Sequence, residues 1–296
     1  MATSQFENPC LGRIVFSQRP IGPLHIGQLV GSLRPVTSFQ EHYETLFVVA
    51  DGTPGTTVDA EKRSQIHELL AGWLAAGLSP NESVIVQLSQ LFELNAMVNF
   101  LLPLIEDDNL APLPGAVETL PEAALLLLFG ASHTPAYPSA RSAGDLASVL
   151  VARLNDIYKL NLQKISWLPL PVGQLAGTDG QPMWTARRNA IWLMDSEEET
   201  TQKVMLLPTM VLLTYLEHFV HEPAEQSRVI NDFQSGAITA NELRSVVALA
   251  LNESLHSLRV KREKWLAAPD ELDHILKAGL QRGKLIADEN LAKMIK

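Results

Sequence analysis

Between Arg13 and Gln28 the chain changes character twice, and this constrains the fold more than any other stretch. The apolar run Arg13-Ile14-Val15-Phe16-Ser17 is broken by Pro20-Ile21-Gly22-Pro23, and Leu24-His25-Ile26-Gly27-Gln28 then heads a helical pattern. A strand that stops at proline and glycine and opens a helix builds a corner. There the unpaired N–H groups and the positive end of the helix dipole lie where an anion can sit. Gly27 has no Cβ, so a base or ribose can approach its backbone, and His25 can donate a hydrogen bond to a phosphate.

The rest of the first half repeats the strand-then-helix rhythm. Strands are predicted at 13–17, 45–50, 83–88 and 125–129, with amphipathic helices near 25–43, 60–76 and 143–160. Such alternation implies an α/β fold, a Rossmann-like parallel sheet with helices on both faces and right-handed crossovers. Ligands then bind beyond the strand C-termini, where Ser17 to Gln28 and Asp51 fall. After about residue 175 the chain reads as mainly helical, with segments 202–236, 241–265 and 269–296 suited to a smaller α-helical bundle. The division expected is 1–190 for the nucleotide-binding part and 191–296 for the helical part.

Composition narrows the function classes. With 296 residues, 46% of them hydrophobic, the chain can bury a large core. The lone Cys10 excludes an intramolecular disulfide framework and suits a reducing cytoplasm. The start Met1-Ala2-Thr3-Ser4-Gln5-Phe6-Glu7 lacks the pattern of a signal peptide, and the apolar run Ala123–Phe129 is too short to cross a bilayer. A cytoplasmic location without membrane contact is therefore expected. A net charge of −10 argues against general coating of nucleic acid, although the run Arg259-Val260-Lys261-Arg262-Glu263-Lys264 offers either a local basic surface or a solvated helix face. The eight histidines show no metal-ligand spacing, so no metal site is expected in the protein itself.

The run Pro20 to Gln28 closely resembles the HIGH signature of class I aminoacyl-tRNA synthetases, in the P-[ST]-G-x-[LI]-[HT]-[LI]-G-[NH] form of tryptophanyl-tRNA synthetases. The resemblance continues along the chain. Thr45-Leu46-Phe47-Val48-Val49-Ala50-Asp51 looks like the family's second strand with its closing Asp. Ala71 to Pro80 followed by Ser83 to Gln87 resembles the approach to its third strand. Gly177-Thr178-Asp179-Gly180-Gln181 and Asn189 to Glu199 resemble the flanks of its KMSKS loop, and Asp273 to Leu280 its last helices.

That resemblance implies ATP, with Mg2+, as the cofactor of an active protein, an amino acid or analogue as substrate, tRNA as a further partner, and a homodimer. Carried over residue by residue, it places His25 and Gln28 in the catalytic corner. Arg19, Pro20, Ile21, Gly22, Gly27, Gln28 and Met183 fall around ATP, and Phe16, Asp51 and Thr53 around the amino acid. Thr185 and Arg187 are the polar groups left in the loop.

Several of the family's working residues are missing. The KMSKS position reads Pro182-Met183-Trp184-Thr185-Ala186, without either lysine or serine. Losing one preorganised donor costs roughly 3–4 kcal/mol of transition-state stabilisation, and here two cations are absent. In the stretch Thr119 to Phe129 the family's indole-contacting methionine becomes Ala124, and the aspartate that accepts the indole N–H becomes Leu127. An indole N–H buried without an acceptor costs on the order of 1–3 kcal/mol. The family's G-E-D-Q segment falls on Tyr137 to Ala143 without a match. The sequence therefore predicts a tryptophanyl-tRNA synthetase-like protein with weak or lost tryptophan activity. The alternative is a non-catalytic synthetase paralog that binds nucleotide, tRNA or a protein partner.

Overall fold

The computed structural model of the chain describes residues 10–106, 115–136, 138–170 and 175–295. β1 (Arg13–Gln18) is followed by α1 (Ile26–Gln28) and α2 (Arg34–Ser38), β2 (Glu44–Val49), α3 (Ala60–Ala75), β3 (Val84–Gln87), α4 (Glu93–Glu106) and α5 (Ala116–Leu128). β4 (His133–Pro135), α6 (Pro138–Tyr158) and β5 (Ser166–Leu168) complete the α/β part. The strands form one parallel sheet in the order β3-β2-β1-β4-β5, the doubly wound arrangement whose switch point lies between β1 and β4. Five further helices follow: α7 (Glu197–Met205), α8 (Leu212–Phe219), α9 (Pro223–Gln234), α10 (Ala240–Leu266) and α11 (Pro269–Met294).

Alternation along the strands feeds two cores. Phe16, Phe47, Val49 and Ile85 face one, shared with Trp73 of α3, Tyr215 of α8 and Leu251 of α10. Val15, Leu46, Val48, Val84 and Val86 face the other, shared with Leu101, Leu127 and Leu150 of α4, α5 and α6. Strands buried on both sides explain why their sequences are continuous apolar runs. The first core runs from Phe16 to Leu276 and includes residues on both sides of position 190.

Helix α11 binds the two cores together. Leu272 and Leu276 enter the first and Ala287 and Met294 the second, so the helix crosses the edge strand β3 between them. The crossing is made by Gly279 and Gly283: a Cβ on the first would run into the backbone of Ile85, and one on the second would come 2.6 Å from Val86 Cγ2. The helix thereby covers an edge that would otherwise be open to further pairing.

Two local expectations are corrected. Residues 125–129 are not a strand; Leu125 to Leu128 end α5 and the fourth strand is His133–Pro135. Leucines, which are not branched at Cβ, are good helix formers, and α4 and α6 bury the run from outside the sheet. The helix predicted over 25–43 is interrupted: Leu29–Leu33 form a π turn and Phe39–Glu41 a 3-10 turn. The π turn ends at Leu33, and Pro35, the second residue of α2, has no N–H to give to it. No helix among the described residues is long and apolar enough to cross a membrane.

Candidate nucleotide corner and its loop

At the end of β1, Arg19 and Ile21 are exposed, Pro20 is buried, and Gly22 takes φ 77°, the left-handed conformation the turn requires. His25 is the N-cap of α1. The Gln28 N–H donates to His25 Nδ1 at 3.1 Å, and the His25 N–H donates to Gln28 Oε1 at 3.0 Å, a reciprocal capping box. Because Nδ1 accepts, the ring proton resides on Nε2. Burial pushes the imidazole pKa down to about 4, so the ring is neutral at physiological pH.

Four backbone donors of this corner have partners within the protein. Besides His25 and Gln28, the Ile26 N–H donates to the Ile191 carbonyl at 3.0 Å and that of Leu29 to the His25 carbonyl at 3.1 Å. Side-chain donors of the corner without a partner among the described residues are the His25 Nε2–H, the Gln28 amide and the Arg19 guanidinium, and the Gly27 N–H in the first turn of α1 is likewise without one. These are groups of the type that bind a phosphate.

Residues 175–195 fold onto the corner. Asn189, buried, donates to Asp179 Oδ1 at 2.7 Å and to the Pro182 carbonyl at 3.1 Å, while its Oδ1 accepts the Trp184 N–H at 2.9 Å. Its amide holds the Asp179 carboxyl below the usual range. The Tyr215 hydroxyl donates to the Ala176 carbonyl at 2.5 Å and ties the loop base to α8. Met183 is buried against Gly27, whose open face it shares with the His25 ring; a Cβ on Gly27 would lie 3.3 Å from Met183 Cβ. Thr185 and Arg187 belong to an exposed 3-10 turn, with Trp184 64% exposed beside it. The loop thus brings Met183 to the corner and leaves Thr185 and Arg187 at the surface.

Beyond the loop, Ile191 to Leu193 pair antiparallel with Leu24 to Ile26, the Leu193 N–H donating to the Leu24 carbonyl at 2.9 Å. This lays the Trp192 ring edge to face on His25, centroids 5.9 Å apart. Asp195, buried, accepts the Trp192 N–H at 2.7 Å and binds Lys203 Nζ at 2.6 and 2.7 Å. Asn189, Trp192, Asp195 and Lys203 were not picked out as site residues from the sequence. Asn189, Trp192 and Asp195 fall in the Asn189 to Glu199 stretch that resembles the flank of the family's loop, and Lys203 has no local signal.

The residues assigned to the amino acid lie at the same sheet edge, with different surroundings. Phe16 packs on Phe47 and Trp73, with centroids at 5.3 and 6.1 Å. Asp51 is buried and accepts from Gln87 Nε2 at 2.8 Å, the Ser89 N–H at 2.9 Å and Ser89 Oγ at 2.7 Å. Thr53 is exposed, and its carbonyl accepts from Thr56 Oγ1 at 2.7 Å. Ala124 and Leu127 are buried within α5. Tyr137 lies outside the described residues, and Pro138 begins α6.

An open cavity of about 310 Å3 lies on the flank of the corner, lined by Gly22, Pro23, Gln65, Glu68, Met194 and Arg262. Two cations of the basic run are spent on neighbouring helices: Arg262 pairs with Glu68 of α3, and Arg259 donates to Thr200 Oγ1 of α7 at 2.8 Å. Among the described residues, no group of three or more His, Cys, Asp or Glu is placed to hold a metal ion.

Comparison with known proteins agrees with this geometry. The family profile described as "tRNA synthetases class I (W and Y)" matches residues 13–105. The tryptophan–tRNA ligase of Borreliella burgdorferi is 27% identical over 92% of this chain and 89% of its own. That of Treponema pallidum is 26% identical over 95% of each. The structure of tryptophanyl-tRNA synthetase from Campylobacter jejuni, complexed with ADP and tryptophan, superposes with a TM-score of 0.79 at 18% identity, covering 95% of this chain and 98% of that one. Sheet order, corner and helical part together define the class I aminoacyl-tRNA synthetase fold. Within that class, the profile over residues 13–105 and the near full-length similarity to both ligases narrow the likeness: tryptophanyl-tRNA synthetases are the family this chain resembles.

Proposed function

We propose that this chain binds ATP at the His25–Gln28 corner and that its activation of tryptophan is weak or lost. The observation that carries the reading is the loop over the corner. Met183 reaches Gly27, while the positions where the family has its signature lysines hold no lysine, and the polar residues Thr185 and Arg187 lie at the surface. In this reading His25 Nε2–H, the Gln28 amide and Arg19 are donors to the phosphates, Pro20, Ile21 and Gly22 form the turn beside the nucleotide, and Met183 and Gly27 flank the base. When bound, ATP with Mg2+ would supply an α-phosphorus open to an amino-acid carboxylate, the bond to the β-phosphate breaking and pyrophosphate leaving. Phe16, Asp51 and Thr53 border the space for that amino acid or analogue. Asp51 serves there by holding Gln87 and Ser89.

The same reading places the protein in the cytoplasm as a homodimer, with residues 191–296 as the part that meets tRNA. Amino-acid-dependent exchange of pyrophosphate into ATP, run with each amino acid in turn, tests the activity. Exchange supported by an amino acid other than tryptophan would identify a changed substrate.

A second reading, a non-catalytic paralog that binds nucleotide, tRNA or a protein partner, is favoured by Leu127. It is 4% exposed in a leucine-lined core, where the family would need a carboxylate. Nucleotide binding without exchange for any amino acid is its expected signature.

A further inference from the structure

We propose that Trp192 is the positioning residue of the corner: it fixes the His25 ring and hence the direction in which the Nε2 proton is presented. The inference rests on the reading of the corner as a nucleotide site. Its geometry comes from both sides of the histidine. On its own element, Gln28 occupies Nδ1 and leaves Nε2 as the proton-bearing atom. From the facing segment, the His25–Trp192 bridge brings the two rings edge to face at 5.9 Å.

Trp192 is itself held in place. Its backbone N–H is bound by Asp195, and Lys203, gripped by the same carboxylate, lies 6.0 Å from the centre of its ring. The cation draws on the ring face, a contact worth about 0.5–2 kcal/mol. The groups facing His25 are then Gln28 and Gly27 from its own helix start, Met183 from the loop and Trp192 from the paired segment, none of them charged. Lys203 and Asp195 form the charged layer behind Trp192. A corner without loop lysines can thus present a neutral donor at a defined angle, set by packing rather than by charge.

The test is a long-range 15N–1H correlation spectrum of the histidine rings in the full chain, with His25→Gln used to assign the signal. The wild type should show His25 as a single Nε2–H tautomer with its midpoint at about pH 4. Trp192→Phe should keep both properties. Trp192→Ala should mix the tautomers and move the midpoint up toward the ordinary value of about 6.5. If Trp192→Ala does not fold, Trp192→Leu, which keeps apolar bulk without a ring edge, carries the comparison. A folded Ala or Leu variant with unchanged tautomer and midpoint would overturn the proposal, as would a wild-type midpoint near 6.5. Adding ADP separates the two readings. A shifted His25 signal supports both, and a fixed tautomer that ADP leaves untouched supports the positioning while contradicting the nucleotide site.

Discussion

Lys203 closes on one carboxylate, with Nζ 2.6 and 2.7 Å from the two oxygens of Asp195, whose side chain is 7% exposed. Replacing the cation leaves that buried carboxylate with the Trp192 N–H as its remaining donor among the described residues. A buried charge stripped of its partner costs about 3–5 kcal/mol, and the partial exposure of Lys203 reduces this to about 2 kcal/mol. Lys203→Met should therefore unfold at lower urea with an unchanged m-value. A loss below about 0.5 kcal/mol would assign the pair to the weak surface class.

Acid should weaken the fold through His25. Its pKa is about 4 in the folded chain and about 6.5 when unfolded, so between these values the unfolded state binds more protons. The stability held by the neutral ring is complete above pH 6.5 and declines as pH falls toward 4. The shift corresponds to at most about 3 kcal/mol. Urea titrations of wild type and His25→Gln across this window should diverge in slope, the variant losing less on acidification. Parallel curves would place the acid sensitivity elsewhere.

Gly279 carries the crossing of α11 over β3. Alanine there would meet backbone, which cannot swing away as a side-chain tip can. Gly279→Ala should cost about 3 kcal/mol despite the better helix propensity of alanine. Gly77, with φ 109° and open space at its Cβ, tests backbone strain without a clash and should cost less on substitution by alanine. Equal losses at the two sites, measured by thermal unfolding, would show that α11 can shift on the sheet.

Asp51 unites the ends of β2 and β3. Its replacement by alanine strands two buried donors, the Ser89 N–H and Oγ–H, each costing about 1–3 kcal/mol if left unpaired, while the half-buried Gln87 Nε2 keeps Ser89 Oγ at 3.0 Å. Asp51→Ala should lose about 3 kcal/mol and raise the protease sensitivity of the 52–56 turn, where the Gly55 N–H bonds to the Ser89 carbonyl at 2.8 Å. Wild-type stability in this variant would free Asp51 for a direct substrate role.

Much of this was legible from residue order. The strand, Pro/Gly break and helix start at residues 13–28 announced the first strand and the corner that follows it, because those signals are local, whereas the switch point between β1 and β4 needed the strand order. The leucine run at 125–129 misled, since a buried apolar stretch has no period that separates strand from helix. The crossing of α11 depends on Gly279 meeting Ile85, nearly two hundred residues away, and no local pattern encodes that. Trp192 escaped notice for the same reason: its partner His25 precedes it by most of the α/β part.

The most direct test of the central claim is the rate of tryptophan-dependent pyrophosphate exchange, measured beside a family member that retains both loop lysines. Loss of one preorganised donor lowers a rate by about a hundred- to a thousandfold, so this chain should fall at least a hundredfold below that protein at saturating ATP and tryptophan. Exchange within tenfold of the intact protein would contradict the account.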